Sequence, residues 1–235
     1  MAIIETENLC KQYGKTQALH FVNLKINEGK IVGLLGPNGS GKTTLIKIIN
    51  NILQPTSGSI LIDGIEPGIK SKEIISYLPD CNFLNEEMKI SSIINYFKDF
   101  FKNFDLNKCY YLLSQMNVRT DVKLKTLSKG NKERVQLALI LSRDAKIYVL
   151  DEPIAGVDPI NRDFILKLII ENYNPDSTLL ISTHLIQDIE SILDEVIFIN
   201  EGSIILHEDA EKLRSEKNMS INDIFKEELQ CLVNL

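Results

Sequence analysis

No stretch of this sequence stays apolar for long. A membrane span needs roughly 18 consecutive apolar residues, and no run comes near that length. Any work at a membrane would therefore require docking onto a separate spanning protein. Cationic excess is missing too. Lys and Arg number 26 against 32 Asp and Glu, a net charge of −6. A duplex-binding protein needs a surplus of cations to neutralise phosphates, so no nucleic-acid partner is expected. Cysteine is sparse and unpatterned. The four residues, Cys10, Cys81, Cys109 and Cys231, form no CxxC and have no histidine at ligand spacing. Reduced thiols in a cytosolic chain are expected, not a disulfide frame or a zinc site. The opening "MAIIETENL" is too acidic, and its apolar run too short, for a signal peptide. Internal repeats and low-complexity segments are absent.

What is present is alternation. The runs "KIVGLLG" (30–36), "SILIDG", "IISYL" (74–78), "IYVL" (147–150) and "TLLIST" (178–183) read as short buried strands. Between them lie helical patterns, such as "KTTLIKIINNIL" (42–53), which stops at Gln54-Pro55. Continuous apolar strands between helices imply a parallel sheet covered on both faces. "EVIFINEGSIIL" reads as a hairpin turning at Glu201-Gly202, and some antiparallel strand is expected at the N-terminus. From Asp80 to Thr126 the pattern turns helical. "SSIINYFKDFF" sets Ile93, Ile94, Phe97, Phe100 and Phe101 at helical spacing, with Ser91 as the expected cap. The stripe reads as the small core of a helical insert, or else as a partner-contact face. At 235 residues the chain suits one domain with such a subdomain.

Three stretches carry chemistry. "GPNGSGKTT" (36–44) fits G-x-x-x-x-G-K-[ST] through Gly36, Gly41, Lys42 and Thr43, after a strand and at the start of a helix. Pro37 and Asn38 complete the loop. The N–H groups of Gly39, Ser40, Gly41, Lys42 and Thr43 would hold a β-phosphate at the positive end of the helix, with Thr44 following. Lys42 would reach the β- and γ-phosphates, and the Thr43 hydroxyl would hold Mg²⁺. A glycine-rich turn without a ligand is the bland alternative. "IYVLDEP" places Asp151 at a strand tip beside that loop, suited to Mg²⁺ through water. Glu152 would point elsewhere and accept a proton from attacking water. Alone, an apolar run ending in Asp-Glu reads equally as a solvated strand end. His184 follows "LLIST". A lone histidine is more often structural, but at this strand tip it reads as a γ-phosphate contact.

"TLSKGNKERVQ" (126–136) looks like a helix-opening turn with no strand before it and no evident ligand. Taken in order with the phosphate loop and the Asp-Glu pair, it resembles the signature of the nucleotide-binding subunits of ABC transporters. The resemblance covers nearly the whole chain. It implies an α/β fold: a P-loop NTPase core, mostly a parallel sheet with helices on both faces. An N-terminal antiparallel β subdomain and an inserted α-helical subdomain complete it. The implied ATP-binding domain is 3–227, with the insert at about 82–142 and a tail at 228–235. It further implies ATP and Mg²⁺ as cofactors, Asp158 of "AGVD" as the D-loop residue, and His184 as the switch histidine. Tyr13 sits where the family stacks an aromatic ring on adenine; otherwise it is a strand-face core residue. By the same resemblance Leu127, Ser128, Lys129, Gly130 and Asn131 close the ATP of a second copy packed head to tail, the helix starting near Asn131.

Two departures stand out. Lys129 and Asn131 replace the commoner Gly and Gln. Asp80, in "LPDCNF", takes the place of a glutamine that touches metal and attacking water and couples to the membrane subunit. Aspartate is shorter and charged, so it either meets Mg²⁺ through water or does not touch it. An acid in this loop resembles bacterial drug- and peptide-exporter ATPases. The implied role is an ATPase subunit on the cytoplasmic face of the cell membrane. Its implied partners are a transmembrane permease and a second ATP-binding subunit, homo- or heterodimeric. The alternatives are an importer subunit or a non-transport ATPase that remodels a macromolecular complex. The latter commonly has two nucleotide domains and a charged linker, which this chain does not show. A DNA-repair ATPase would need coiled-coil arms that an insert of this size does not supply.

Overall fold

The computed structural model describes residues 1–233, with side chains through 231. Two sheets form it. The first is antiparallel, in the order β2 (Thr16–Asn27), β1 (Ala2–Tyr13), β4 (Ser57–Ile62). The second has six strands, in the order β5 (Ile75–Leu78), β6 (Ile147–Asp151), β7 (Thr178–Thr183), β3 (Ile31–Leu35), β8 (Glu195–Asn200), β9 (Ser203–Asp209). All its pairings are parallel except β8 with β9. The β8–β9 hairpin turns at Glu201 and Gly202, whose φ values of 46° and 77° suit a tight turn of this hand.

Apolar runs with no polar alternation bury both faces of a strand, and the two cores follow from that. Val32, Leu34, Ile147 and Val149 face one side, where they pack with β1, β2, β4 and helix α1 (Lys42–Ile49). Leu35, Tyr148, Leu150 and Ile181 face the other. There they meet α3 (Ile90–Phe100), α4 (Leu106–Gln115), α5 (Lys129–Leu141), α6 (Pro159–Asn172) and the C-terminal helices. The remaining helices are α2 (Ile69–Ile74), α7 (Ile186–Ile189), α8 (Ala210–Lys217) and α9 (Ile221–Val233), of which α7, α8 and α9 pack into this second core. Helix α9 runs through position 228, where the sequence suggested a tail, and 234–235 lie outside the described residues. Among the described residues no helix is long and apolar enough to cross a membrane.

Three helix ends differ from expectation. Helix α1 stops at Ile49, because Asn51 turns left-handed (φ 50°) and the chain reverses there, well short of Pro55. Ser91 does not cap α3; the N-cap is Lys89. The N–H groups of Ile90 and Ser91 donate to Val122 O (3.1 Å) and Thr120 O (2.9 Å), so a neighbouring loop does the capping. Helix α5 starts at Lys129, two residues before Asn131. In the aromatic stripe Ile93, Ile94 and Phe97 are buried, Phe101 is half-buried, and Phe100 is exposed, stacked on Tyr96.

Candidate functional site

The loop between β3 and α1 is shaped by close approach. Gly41 has φ 109°, and a Cβ there would lie 2.6 Å from Ala18 O, so only glycine fits. Behind it Lys42 is buried. Its ammonium donates to Gly36 O (2.7 Å) and Pro37 O (3.1 Å), and Glu152 Oε1 lies 3.7 Å away. Burial pushes the Lys42 pKa down, and the Glu152 and Asp151 carboxylates oppose that. The Ser40 hydroxyl is buried with no hydrogen-bond partner.

Strands β6 and β7 bring the two acids and the histidine together. Asp151 ends β6, fully buried. The Ser182 hydroxyl donates to its Oδ1, while Oδ2 has no hydrogen-bond partner. Burial pushes the Asp151 carboxyl up. The Ser182 and Thr43 hydroxyls pull it back, Thr43 without satisfying Oδ2, and Asp80 and Glu152 push it further up. Glu152 follows with φ 53°. Its N–H donates to Ser182 O (3.0 Å), which turns the side chain back over β7. There the Thr183 hydroxyl donates to Oε2 (3.2 Å), and His184 Nδ1 lies 3.0 Å from both carboxylate oxygens. Glu152 thus bridges Lys42 and His184. Ser182 and Thr183 were not singled out from sequence. Their signal was the polar pair closing "LLIST" immediately before His184.

Beside these residues opens a cleft of about 720 Å³, lined by Asn38, Asp80, Gly130, Asp151, Glu152 and His184, among others. Asp158 and Lys129 line it as well. Asp80 is exposed on its wall. Asp158 caps α6, its carboxylate accepting from Ile160 N–H (3.2 Å). The Ser128 hydroxyl caps α5, accepting from Asn131 N–H (3.4 Å). Lys129 is exposed, Gly130 has open space above it, and Leu127 packs into the core. The turn 127–131 thus presents a helix N-terminus and a bare backbone toward the outside. Tyr13 stands apart at the end of β1, 47% exposed and so no core residue, with Lys11 Nζ 5.3 Å from its ring centre.

This arrangement fits a phosphate-bearing ligand with a hard cation. Asp151 Oδ2 is buried and bare, the Thr43 hydroxyl adjoins that carboxyl, and Lys42 is buried behind the loop, its ammonium held by two loop carbonyls. A cation there would be held by Thr43 and Asp151.

Residues 19–155 match the ABC transporter family. Among curated relatives, the lantibiotic transport ATP-binding protein SrtF of Streptococcus pyogenes is 33% identical over 234 residues, 96% of this chain and 99% of that one. The SkfA peptide export ATP-binding protein SkfE of Bacillus subtilis is 29% identical over 211 residues, 87% of this chain and 88% of that one. A solved ATP-binding subunit of an ABC transporter superposes with a TM-score of 0.87 at 23% identity, covering 97% of this chain and 99% of its own.

Proposed function

The chain belongs to the ABC transporter family as an ATP-binding, ATP-hydrolysing subunit, and on that premise we propose that it powers export of drugs or peptides through a separate membrane protein. The observation that carries the hydrolytic part is Glu152 set between Lys42 at 3.7 Å and His184 at 3.0 Å. Water attacks the γ-phosphorus. Its oxygen forms the new P–O bond, the bridging oxygen leaves with ADP, and the water's proton passes to the Glu152 carboxylate. Lys42 exchanges its own loop carbonyls for the β- and γ-phosphates. His184 meets the γ-phosphate and holds Glu152 in place. Mg²⁺, held by Thr43 and Asp151, would supply charge neutralisation on the phosphate oxygens. Tyr13 carries the adenine ring on its exposed face. Turn 127–131, with Ser128 and Gly130, closes the ATP of a second copy, and Asp158 lies at that same contact.

Export is supported by similarity to the SkfA peptide export protein and to the lantibiotic transport protein, each over most of its length. The acid at Asp80 points the same way. The chain then works at the cytoplasmic face of the membrane, beside a permease. The test is ATP-dependent uptake of a labelled lantibiotic-class peptide into inverted vesicles holding the chain and its permease. Uptake that vanishes with Lys42→Ala supports export. ATP turnover without uptake counts against it.

A further inference from the structure

We infer that Gly202, in the β8–β9 hairpin turn, is a positioning residue for the phosphate loop: its backbone holds the Ser40–Gly41 peptide from behind and so aims the Gly41 N–H at a bound phosphate. The inference rests on the reading of 36–44 as the nucleotide loop and deepens it. Gly202 N–H donates to Ser40 O (2.9 Å), and Gly202 O accepts from His20 N–H (2.8 Å). One residue thus ties the loop before α1 to strand β2. A trans peptide is planar, and its C=O and N–H point in opposite directions; none of the described peptides is cis. The bond that holds the Ser40 carbonyl therefore turns the Gly41 N–H to the other side of the peptide. On the next peptide, Gly41 O accepts from Leu45 N–H (3.0 Å), an opening bond of α1. Both peptides flanking Gly41 are fixed in this way, at the helix start where loop N–H groups meet an anion.

Backbone atoms leave room for nothing but glycine at position 202. Its φ is 77°, and a Cβ there would stand 2.7 Å from Ala18 O, 2.9 Å from Ala18 C and 3.0 Å from Leu19 Cα. Those atoms belong to β2 and cannot swing aside as a side chain does. A methyl group at 202 must push the turn off β2, and the N–H that holds Ser40 O moves with it. The hairpin also closes on the first glycine of the loop, since a Cβ at Gly36 would stand 2.4 Å from Ile199 O. A Cβ at Gly41 would meet Ala18 O and, at 3.4 Å, Gly202 Cα. The shape of the phosphate loop is therefore set in part by a turn that lies outside its own sequence.

The experiment compares Gly202→Ala with Gly58→Ala in the full chain, reading Tm and the affinity for ADP with Mg²⁺, the latter well below the lower Tm. Gly58 is the matched control. It too is left-handed (φ 80°) and walled by backbone, with a Cβ that would stand 2.2 Å from Asn8 O, but it sits where β4 meets β1. Both variants should lose Tm. Gly202→Ala alone should bind ADP more weakly, by about tenfold or more, the effect of losing one hydrogen bond to a charged group. Parental affinity in Gly202→Ala, or equal losses in the two variants, would overturn the inference. Should Gly202→Ala fail to fold, hydrogen exchange on the parent decides. ADP should slow exchange at the Gly202 amide more than at the Thr56 amide, which bonds Cys10 O (2.8 Å) at the β1–β4 pairing. Equal slowing at both, or none at Gly202, would overturn it. A parent that binds no ADP would sink the nucleotide-loop reading and this inference together, whereas parental binding with an unaffected Gly202→Ala sinks the inference alone.

Discussion

Glu152 occupies an unfavourable backbone conformation, φ 53°, at the point where β6 gives way to a loop. For a residue other than glycine this costs on the order of 1–3 kcal/mol. It is held there by the parallel β6–β7 ladder, which brings Ser182, Thr183 and His184 alongside it. Its role as base predicts that Glu152→Gln keeps ATP binding, loses about 10²-fold or more in kcat, and leaves a long-lived ATP-bound dimer. Near-parental turnover would remove the assignment. Asp151 makes the opposite bargain. Its buried, bare Oδ2 and upward-pushed pKa describe a charge the free protein carries at a cost. Asp151→Asn should therefore raise Tm without nucleotide or metal, by a stability of roughly 1–3 kcal/mol, while Mg²⁺-dependent turnover collapses. A lower Tm in the metal-free variant would contradict this.

At the scale of elements, strands were far more legible than helix ends. The apolar runs around Val32, Val149 and Ile181 have no alternation, and a strand buried on both faces is their simplest reading. The Glu201-Gly202 hairpin announced itself by turn chemistry. The cap of α3 did not, because Val122 and Thr120, some thirty residues away in the chain, fill the place Ser91 was expected to take. Local sequence has no record of such a partner. The phosphate loop, Asp151, Glu152 and His184 were readable since each sits at a strand tip or helix start. Ser182 and Thr183 were not, since their meaning is a contact with another element. Asp80 lies on the loop after β5, leading into the insert, on the wall of the cleft. Asp80→Asn should change permease-stimulated ATPase severalfold while basal ATPase changes little. Equal losses in both would make it a metal contact.

At the scale of the molecule, the two cores place the phosphate loop and turn 127–131 on different bodies. The loop and α1 pack with the antiparallel sheet, whereas α5 packs with α3 and α4 on the opposite face of the parallel sheet. A chain with its own phosphate loop has a second, outward-facing helix-opening turn at 127–131, and our central proposal is that the ATP of a second copy uses it. Ser128 caps α5 at 3.4 Å, a bond whose loss costs about 1 kcal/mol, and the cap alone would not make the turn essential for hydrolysis. The direct measurement mixes one subunit carrying Lys42→Ala with another carrying Ser128→Arg, each inactive alone. In a composite homodimer both lesions fall in one ATP site of the mixed pair and the other site is whole. ATPase activity should reappear on mixing, to part of the parental level. Mixtures that stay inactive, or a Ser128→Arg chain that hydrolyses ATP normally and merely melts a few degrees lower, would contradict the account.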